Sequence, residues 1–302
     1  CGISFLHSTI FTHSLVIMSK IKTIAAAVDA IAMKSPSRLA LTSPFQSAEK
    51  LTYQDLSLKT NALAGWLHQY GVEKNDILVS DLPNVTENLL LQLACNRLGA
   101  GYGTAKNLES MAKQFPKVKG AVSTTTSGFL SDVVLPLPYL SADFLQDLIL
   151  SLDNPVGTME DVDELLDVGD ETTPHGYYNS AIAYTNQQAL THGMEAIEEL
   201  KITEDDTICI SITLCHAFGM GSAICAAFQS GACIALPAVG GIQGCGVPSE
   251  RASATLDVLE SEHCTIMFAD THTIKALPEP SSTLTLRDGV VKIGSGSTFL
   301  EE

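Results

Sequence analysis

Short apolar runs of strand length alternate with helical patterns along most of the chain, and this alternation most narrows the folds open to it. The run 77–82 (ILVSDL) reads as a buried strand ended by Pro83, and 86–98 follows as a helix closed by Gly99. Ahead of it, Ile24, Val28 and Ile31 fall at helical spacing and give way at Ser35-Pro36 to a short strand. LTYQDL then sets Thr52 three residues before Asp55, as in a capping box, and opens a helix with Leu56, Leu63 and Leu67 inward and Gly71 as its stop. The second half repeats the alternation. Helices are expected over 187–200, 221–228 and 250–263, and strands over 207–214, 232–236, 264–270 and 289–296. Strand feeding helix feeding strand favours parallel sheets covered by helices on both faces.

Composition excludes several classes of function. Thirty-four acidic residues against seventeen basic ones leave a net charge of −17, which repels nucleic-acid phosphates and anionic headgroups. Neither nucleic-acid binding nor direct membrane insertion is expected, since no segment keeps about 18 apolar residues together. The eight cysteines include no C-x-x-C pair and sit mostly in apolar runs, which fits a reducing intracellular compartment, cytosol or organelle. Cys215-His216 and His263-Cys264 are adjacent pairs whose members face apart on a strand, so no metal site is expected. Residues 1–17 carry no Lys, Arg, Asp or Glu before Met18; they read as translated upstream sequence or as a leader, without the basic region or small-residue cleavage site of a secretory one. The pattern weakens after Gly120, and an acidic linker is placed at 151–171, between a first α/β subdomain at 18–150 and a second at 172–302.

Three stretches in order carry a resemblance: LTYQDL; GVEKNDILVSDLPN running into ENLLLQLACNRLGAGYG; and ITEDDTICISITLCHAFG with SGACIALP behind it. Their succession resembles the N-terminal domain of the adenylate-forming acid–thiol ligases, the acyl-CoA synthetase family, over roughly 21–302 with one gap near Ala105. The resemblance implies two Rossmann-like subdomains with mainly parallel sheets flanked by helices, an acyl pocket between them, and chemistry on ATP, Mg²⁺, a carboxylic acid and usually coenzyme A. His216, Phe218 and Gly219 match the family's F-H-x-x-G segment, which lines the acyl pocket. Gly294, Ser295 and Gly296 match its G-G-A-like turn, so a small carboxylic acid is the ligand implied there. On its residues alone, His216 reads as a core histidine satisfied by backbone in preference to a ligand contact.

The departures from the family pattern bear on activity. Its phosphate loop runs approximately T-S-G-T-T-G-x-P-K-G and then, after a few apolar residues, T-H; glycine amides and the lysine hold the ATP phosphates. Here the corresponding stretch is TTPHGYYNSA followed by IAYTN. Thr172, Thr173 and Gly176 fall in this degenerate loop, Ser180 takes the place of the lysine, and Thr185-Asn186 take that of T-H. Pro174 removes a donor, and Tyr177 and Tyr178 add bulk where backbone must approach phosphate. Lys119 and Lys201 bracket a span with no Lys or Arg, while Glu160, Asp161, Asp163, Glu164, Asp167, Asp170 and Glu171 precede the loop. Two unit charges about 4 Å apart interact by about 1 kcal/mol in water and by more near a protein surface, so these carboxylates oppose a polyphosphate.

The chain also stops at Glu302, before the family's aromatic-Gly-x-T-E motif, its ribose-binding aspartate and the C-terminal domain with its lysine. A binding or structural subunit without adenylation chemistry is therefore expected, with no cofactor. The alternative is the N-terminal part of a genuine ATP-dependent acid–thiol ligase, which would use ATP, Mg²⁺ and coenzyme A. A third reading places a nucleotide at the Gly240–Gly246 loop, with Ser249 capping the next helix and Asp270 ending the next strand. Gly241, Gly244 and Gly246, however, run G-x-x-G-x-G, the reverse of the dinucleotide spacing. A domain cut before its last strands leaves a sheet edge and apolar surface uncovered, so a homo-oligomer or larger assembly is expected.

Overall fold

The computed structural model describes residues 21–45, 49–104, 118–123, 140–151, 165–178, 182–238, 247–280, 284–293 and 296–299. The first helix, α1 (Ile24–Lys34), begins at Thr23, whose Oγ1 accepts the Ala26 amide at 3.0 Å. Strands β1 (Leu39–Ser43) and β2 (Glu49–Thr52) follow and lead into α2 (Tyr53–Gln69). The expected capping box is present: the Asp55 amide donates to Thr52 Oγ1 at 3.1 Å, and the Thr52 amide to Asp55 Oδ2 at 2.8 Å. Gly71 and Gly99 stand at φ +85° and +63°, the left-handed turns that end the first two long helical segments of this half. Between them come β3 (Ile77–Ser80) and α3 (Thr86–Arg97), and β4 (Gly101–Thr104) follows. All but Glu87 of α3 is buried, so this helix lies inside the molecule and shows no polar stripe.

The remaining strands are β5 (Val118–Ser123), β6 (Leu140–Ser141), β7 (Pro174–Tyr178), β8 (Tyr184–Thr185), β9 (Thr207–Ser211), β10 (Cys233–Ala235), β11 (Ile266–Asp270), β12 (Asp288–Ile293) and β13 (Gly296–Phe299). Among them run helices α4 (Ala142–Ser151), α5 (Asn186–Leu200), α6 (Cys225–Ser230), α7 (Pro248–Ser261) and α8 (Thr271–Ala276), with a π-helix over Phe218–Ile224. Among the described residues the strands form two mostly parallel sheets, ordered β6-β5-β3-β4-β7-β8 and β13-β12-β11-β9-β10-β1-β2. The antiparallel pairs all lie at sheet edges: β7 with β8, β1 with β2, and β12 with β13.

The sheets do not divide the chain where the acidic stretch suggests. Early strand β1 pairs with late strand β10, Leu41 opposite Ile234, while late strand β7 pairs with early β4, Gly176 opposite Tyr102. Each sheet thus recruits strands from both sides of 151–171, of which 152–164 lie outside the described residues. No local pattern encodes such pairings, because a short apolar run fits either buried sheet. One continuous apolar core runs through both halves, from Ile24 and Leu41 to Phe268 and Val290. Among the described residues no helix is long and apolar enough to cross a membrane.

Helix α1 packs against α2, α3, α5 and α6, and a buried ion pair fixes three of these five helices. Arg97, fully buried at the end of α3, donates Nη2 to Asp29 Oδ1 at 2.6 Å and Nη1 to Asp29 Oδ2 at 2.9 Å. Its Nε reaches Thr60 Oγ1 at 2.9 Å and its Nη2 the Ser57 carbonyl at 3.2 Å, both on α2, and Nη1 also reaches the Leu166 carbonyl at 3.3 Å. A second knot covers the start of α1. Asn96 Oδ1 accepts the Ala25 amide at 3.0 Å, and Asn186 Oδ1 accepts Asn96 Nδ2 at 2.7 Å and the Ile24 amide at 3.4 Å. Two of the helix's orphan amides are satisfied in this way.

Removing Asp29 strands a guanidinium in the core, so Asp29→Ala is expected to lower unfolding free energy by about 3–5 kcal/mol in urea titration. The double variant Asp29→Leu/Arg97→Met, which leaves no charge behind, is expected to lose less than the two single variants summed.

Candidate functional site

Parallel strands β9, β11 and β12 end together, and ligands of open α/β sheets gather outside such carboxyl ends. The segment leaving β9, residues 212–217, is held by side chains that come from the other sheet. Asn84, just beyond β3, donates Nδ2 to the Ile212 carbonyl at 2.6 Å and accepts the Leu214 amide on Oδ1 at 2.9 Å. Asn88 on α3 bonds the Leu82 and Pro83 carbonyls at 3.0 and 2.8 Å, and its Oδ1 accepts Tyr102 Oη and Gln92 Nε2, both at 2.9 Å. Gln92 Nε2 reaches the Leu214 carbonyl at 3.4 Å. The ends of β3 and β9 thereby form one polar, buried seam.

His216 follows this seam. Its Nδ1 accepts the Phe218 amide at 3.0 Å, so a neutral ring carries its proton on Nε2, and that atom lies 3.0 Å from Lys292 Nζ. Burial first, and the Lys292 charge second, hold its pKa below the usual imidazole value. Cys215 turns the other way, toward Asn88 Nδ2 at 3.5 Å, and burial pushes its thiol up to about 11. The two diverge as expected, on a loop rather than a strand, and form no nucleophile–base pair.

The π-helix starts at Phe218, whose ring packs on Phe268 at a centroid distance of 5.6 Å. A methyl group at Gly219 would collide with the Thr213 carbonyl oxygen, so that position admits only glycine, and one at Gly221 would have to displace the Tyr184 hydroxyl. Sequence reasoning found Gly219 but read Gly221 as the start of an ordinary helix. The close pair of glycines in F-G-M-G was the available sign of a tight passage, and π-turns recur at functional sites. Lys292 was missed as well; its sign was a lone cation in the apolar run GVVKIG. Of the expected turn, Gly294 and Ser295 lie outside the described residues, and Gly296 opens β13 opposite Ile293.

Within the stretch read as a degenerate phosphate loop, Pro174–Tyr178 form β7 and 179–181 lie outside the described residues. Gly176 sits within β7, opposite Tyr102 on β4 and Tyr184 on β8. Aromatic Tyr177 and Tyr178 suit a pleated, half-buried surface, and glycine at 176 leaves room for the Tyr178 ring that folds over it. Thr172 and Thr173 form a turn around Asp170, whose Oδ1 accepts both amides at 2.9 and 3.0 Å and both hydroxyls at 2.7 and 3.1 Å. These bonds, with Lys74 beside them, hold the Asp170 carboxyl well below the usual range. Thr185 caps α5 in a capping box with Gln188, and Asn186 ties α5 to α1. Ser180 lies outside the described residues.

The described acids nearby are tethers: Asp167 accepts from Thr23 Oγ1 at 2.8 Å, and Glu171 pairs with Lys22 at 3.2 Å. The glycine-rich stretch 239–246 falls outside the described residues. Beyond it, Val247 is the N-cap of α7 and Pro248 its first residue; Ser249 does not cap, because proline's fixed φ suits the opening position. Asp270 caps α8, accepting the Thr273 amide at 2.8 Å, and holds Arg251 Nη2 with both oxygens at 3.0 and 2.8 Å. Among the described residues no three His, Cys, Asp or Glu side chains gather as a metal site.

Residues 28–107 match the family described as AMP-binding enzyme. Solved structures share the fold. VinN in complex with L-aspartate superposes with a TM-score of 0.67 at 16% identity, covering 85% of this chain and 65% of that one. The NpsA N-terminal subdomain of Klebsiella oxytoca, in complex with 3-hydroxybenzoyl-AMSN, gives 0.61 at 19% identity, covering 83% and 60%. The inhibitor-bound N-terminal domain of FACL13 from Mycobacterium tuberculosis gives 0.68 at 13% identity, covering 91% and 76%. The chain thus spans less than two thirds of the length of the first two.

His175 on β7 supplies a pH test of this region. It is fully buried, Asn96 Nδ2 approaches its Nδ1 at 3.3 Å, its Nε2 has no hydrogen-bond partner among the described residues, and burial brings its imidazole down to about 4. The unfolded chain binds a proton below about 6.5 that the folded one refuses, so stability is complete above that value and falls as pH drops toward about 4. Denaturant titrations across this window are expected to lose about 3 kcal/mol through His175, a loss that His175→Asn removes.

Proposed function

We propose, from the premise that residues 28–107 match the AMP-binding family and that the fold is that of the N-terminal domains of adenylate-forming enzymes, that this chain binds a small organic acid beside His216 and does not form an acyl-adenylate. In this reading it is an acyl-CoA-synthetase-like binding or structural subunit. The observation that supports it is that residues 174–178, within the stretch aligned with the phosphate loop, lie in β7. Backbone between 174 and 178 belongs to a sheet, and only residues 179–183 join β7 to β8. A glycine-rich loop grips phosphate by aiming successive amides at it, and amides paired in a ladder are not available for that.

The local charges point the same way. The nearest described cations on this side, Lys22 and Lys74, are paired with Glu171 at 3.2 Å and Asp170 at 3.3 Å. These residues do not fit a magnesium–triphosphate, and no step through ATP follows from them. An acid ligand is compatible with what the similar structures hold: VinN carries L-aspartate, and the NpsA N-terminal subdomain carries 3-hydroxybenzoyl-AMSN. Around His216, Phe218 and the buried seam supply apolar and a few polar groups, the kinds of side chain that line small-molecule sites.

The second reading is the N-terminal part of a working ATP-dependent acid–thiol ligase, favoured by the family match over 28–107. Pyrophosphate exchange separates the two. With Mg²⁺, ATP and a panel of aliphatic, aromatic and amino acids, the purified chain is expected to show no acid-dependent exchange and no saturable heat with ATP by calorimetry. Acid-dependent exchange would reinstate the ligase reading.

A further inference from the structure

We infer that His175 is an acid-sensitive latch, which fastens the start of α1 to β7 and α5 while its ring is neutral and releases it when a solvent proton takes the ring. The basis is the polarity of one buried hydrogen-bond chain. At one end the Ala25 amide donates to Asn96 Oδ1 at 3.0 Å, and at the other Asn186 Nδ2 donates to the Asp170 carbonyl at 3.0 Å. A backbone N–H only donates and a carbonyl only accepts, so neither asparagine can turn its side-chain amide over without setting like against like. Asn96 Nδ2 is thereby fixed as a donor, to Asn186 Oδ1 at 2.7 Å and to His175 Nδ1 at 3.3 Å. His175 closes the chain as an acceptor. Its neutral ring carries the proton on Nε2, and among the described residues that atom has no hydrogen-bond partner.

A second proton would occupy the Nδ1 lone pair. An N–H would then face the Asn96 N–H, and a fully buried imidazolium would find no acceptor at either nitrogen among the described residues. The elements packed against β7 bring no free counter-charge to the ring. Tyr178 on β7 itself, Tyr102 on β4 and Tyr184 on β8 are kept neutral by burial, and His192 on α5 meets the Tyr184 hydroxyl at 2.6 Å. Arg97 on α3 is engaged by Asp29, and Asp170, in the turn before β7, by Thr172 and Thr173. Glu87 on α3 and Glu195 on α5 stand more than two helical turns from Asn96 and Asn186. Burial alone lowers the affinity of His175 for a proton. Since water does not reach the ring, it is protonated only after the knot opens, so acid traps the open form. Opening frees the Ile24 and Ala25 amides, held by the two asparagines, and the Asn186 amide, which donates to the Thr173 carbonyl at 3.1 Å. The open ring takes its proton near pH 6.5 and the closed one only near about 4, so the closed form is fully favoured above 6.5 and loses ground as pH falls.

Residue-resolved hydrogen exchange of the whole chain in low urea tests this, because an opening confined to one region responds little to urea whereas global unfolding responds steeply. The opening constants of the Ile24, Ala25 and Asn186 amides are expected to rise about thirtyfold from pH 7.5 to pH 5, while exceeding that of global unfolding and staying nearly independent of urea. In His175→Asn, which has no proton to gain, the rise should vanish. Long-range ¹H–¹⁵N spectra should show the His175 ring as its Nε2–H form at pH 7.5. Four results overturn the latch: no rise with acid, exchange of these amides only through global unfolding, a rise that persists in His175→Asn, or a ring in the Nδ1–H form. Should His175→Asn fail to fold, the urea dependence and the ring spectrum of the wild-type chain still decide the matter.

Discussion

A guanidinium taken out of water must find an acceptor for each of its donors, and Arg97 finds them only when three helices stand in one arrangement. Asp29 on α1, Ser57 and Thr60 on α2 and the Leu166 carbonyl surround it, all within 3.3 Å. Displacing any one helix leaves a buried charge partly unpaired, which costs far more than a lost surface contact. The position of α3 follows from that constraint. Asn88 and Gln92 ride on the same helix, and Asn84 leads into it, so the side chains that hold the 212–217 segment take their places from the buried pair. The site at His216 is in this sense built outward from Arg97.

The seam between the two sheets is set by amide side chains and backbone, none of which needs a nucleotide. The stretch before α5 is constrained differently: its threonines, Asp170 and Asn186 all serve the turn and helix starts that join α1, α3 and α5. These polar groups hold the fold at this point. Positive charge next to His216 comes from Lys292 of β12.

Local chemistry read from the chain carried well where neighbours in sequence are neighbours in space. The Thr52–Asp55 box, the left-handed glycines at 71 and 99, and the inward Leu56, Leu63 and Leu67 are all found as expected, because a cap or a helix face involves residues three or four apart. Readings failed where two distant segments had to be compared. Residues 174–178 of the stretch read by its letters as a degenerate loop form a strand. Its strand character depends on β4 lying alongside, and β4 lies about seventy positions earlier in the chain. Ser249 lost the capping role to Val247 and Pro248 for a local reason that was visible: proline prefers the first position of a helix.

By itself, then, the sequence determined the α/β class, most helix starts and stops, the acidic surface and the histidine worth examining, all of which follow from spacing and side-chain type. Tertiary structure alone decided which sheet each strand joins, that Gly176 is paired rather than exposed, that Gly221 must clear Tyr184 Oη, and that Lys292 meets His216. The physical reason is common to these cases. Burial and hydrogen bonding reward any partner of suitable shape, and which partner arrives is settled only when the whole core closes around the Asp29–Arg97 pair.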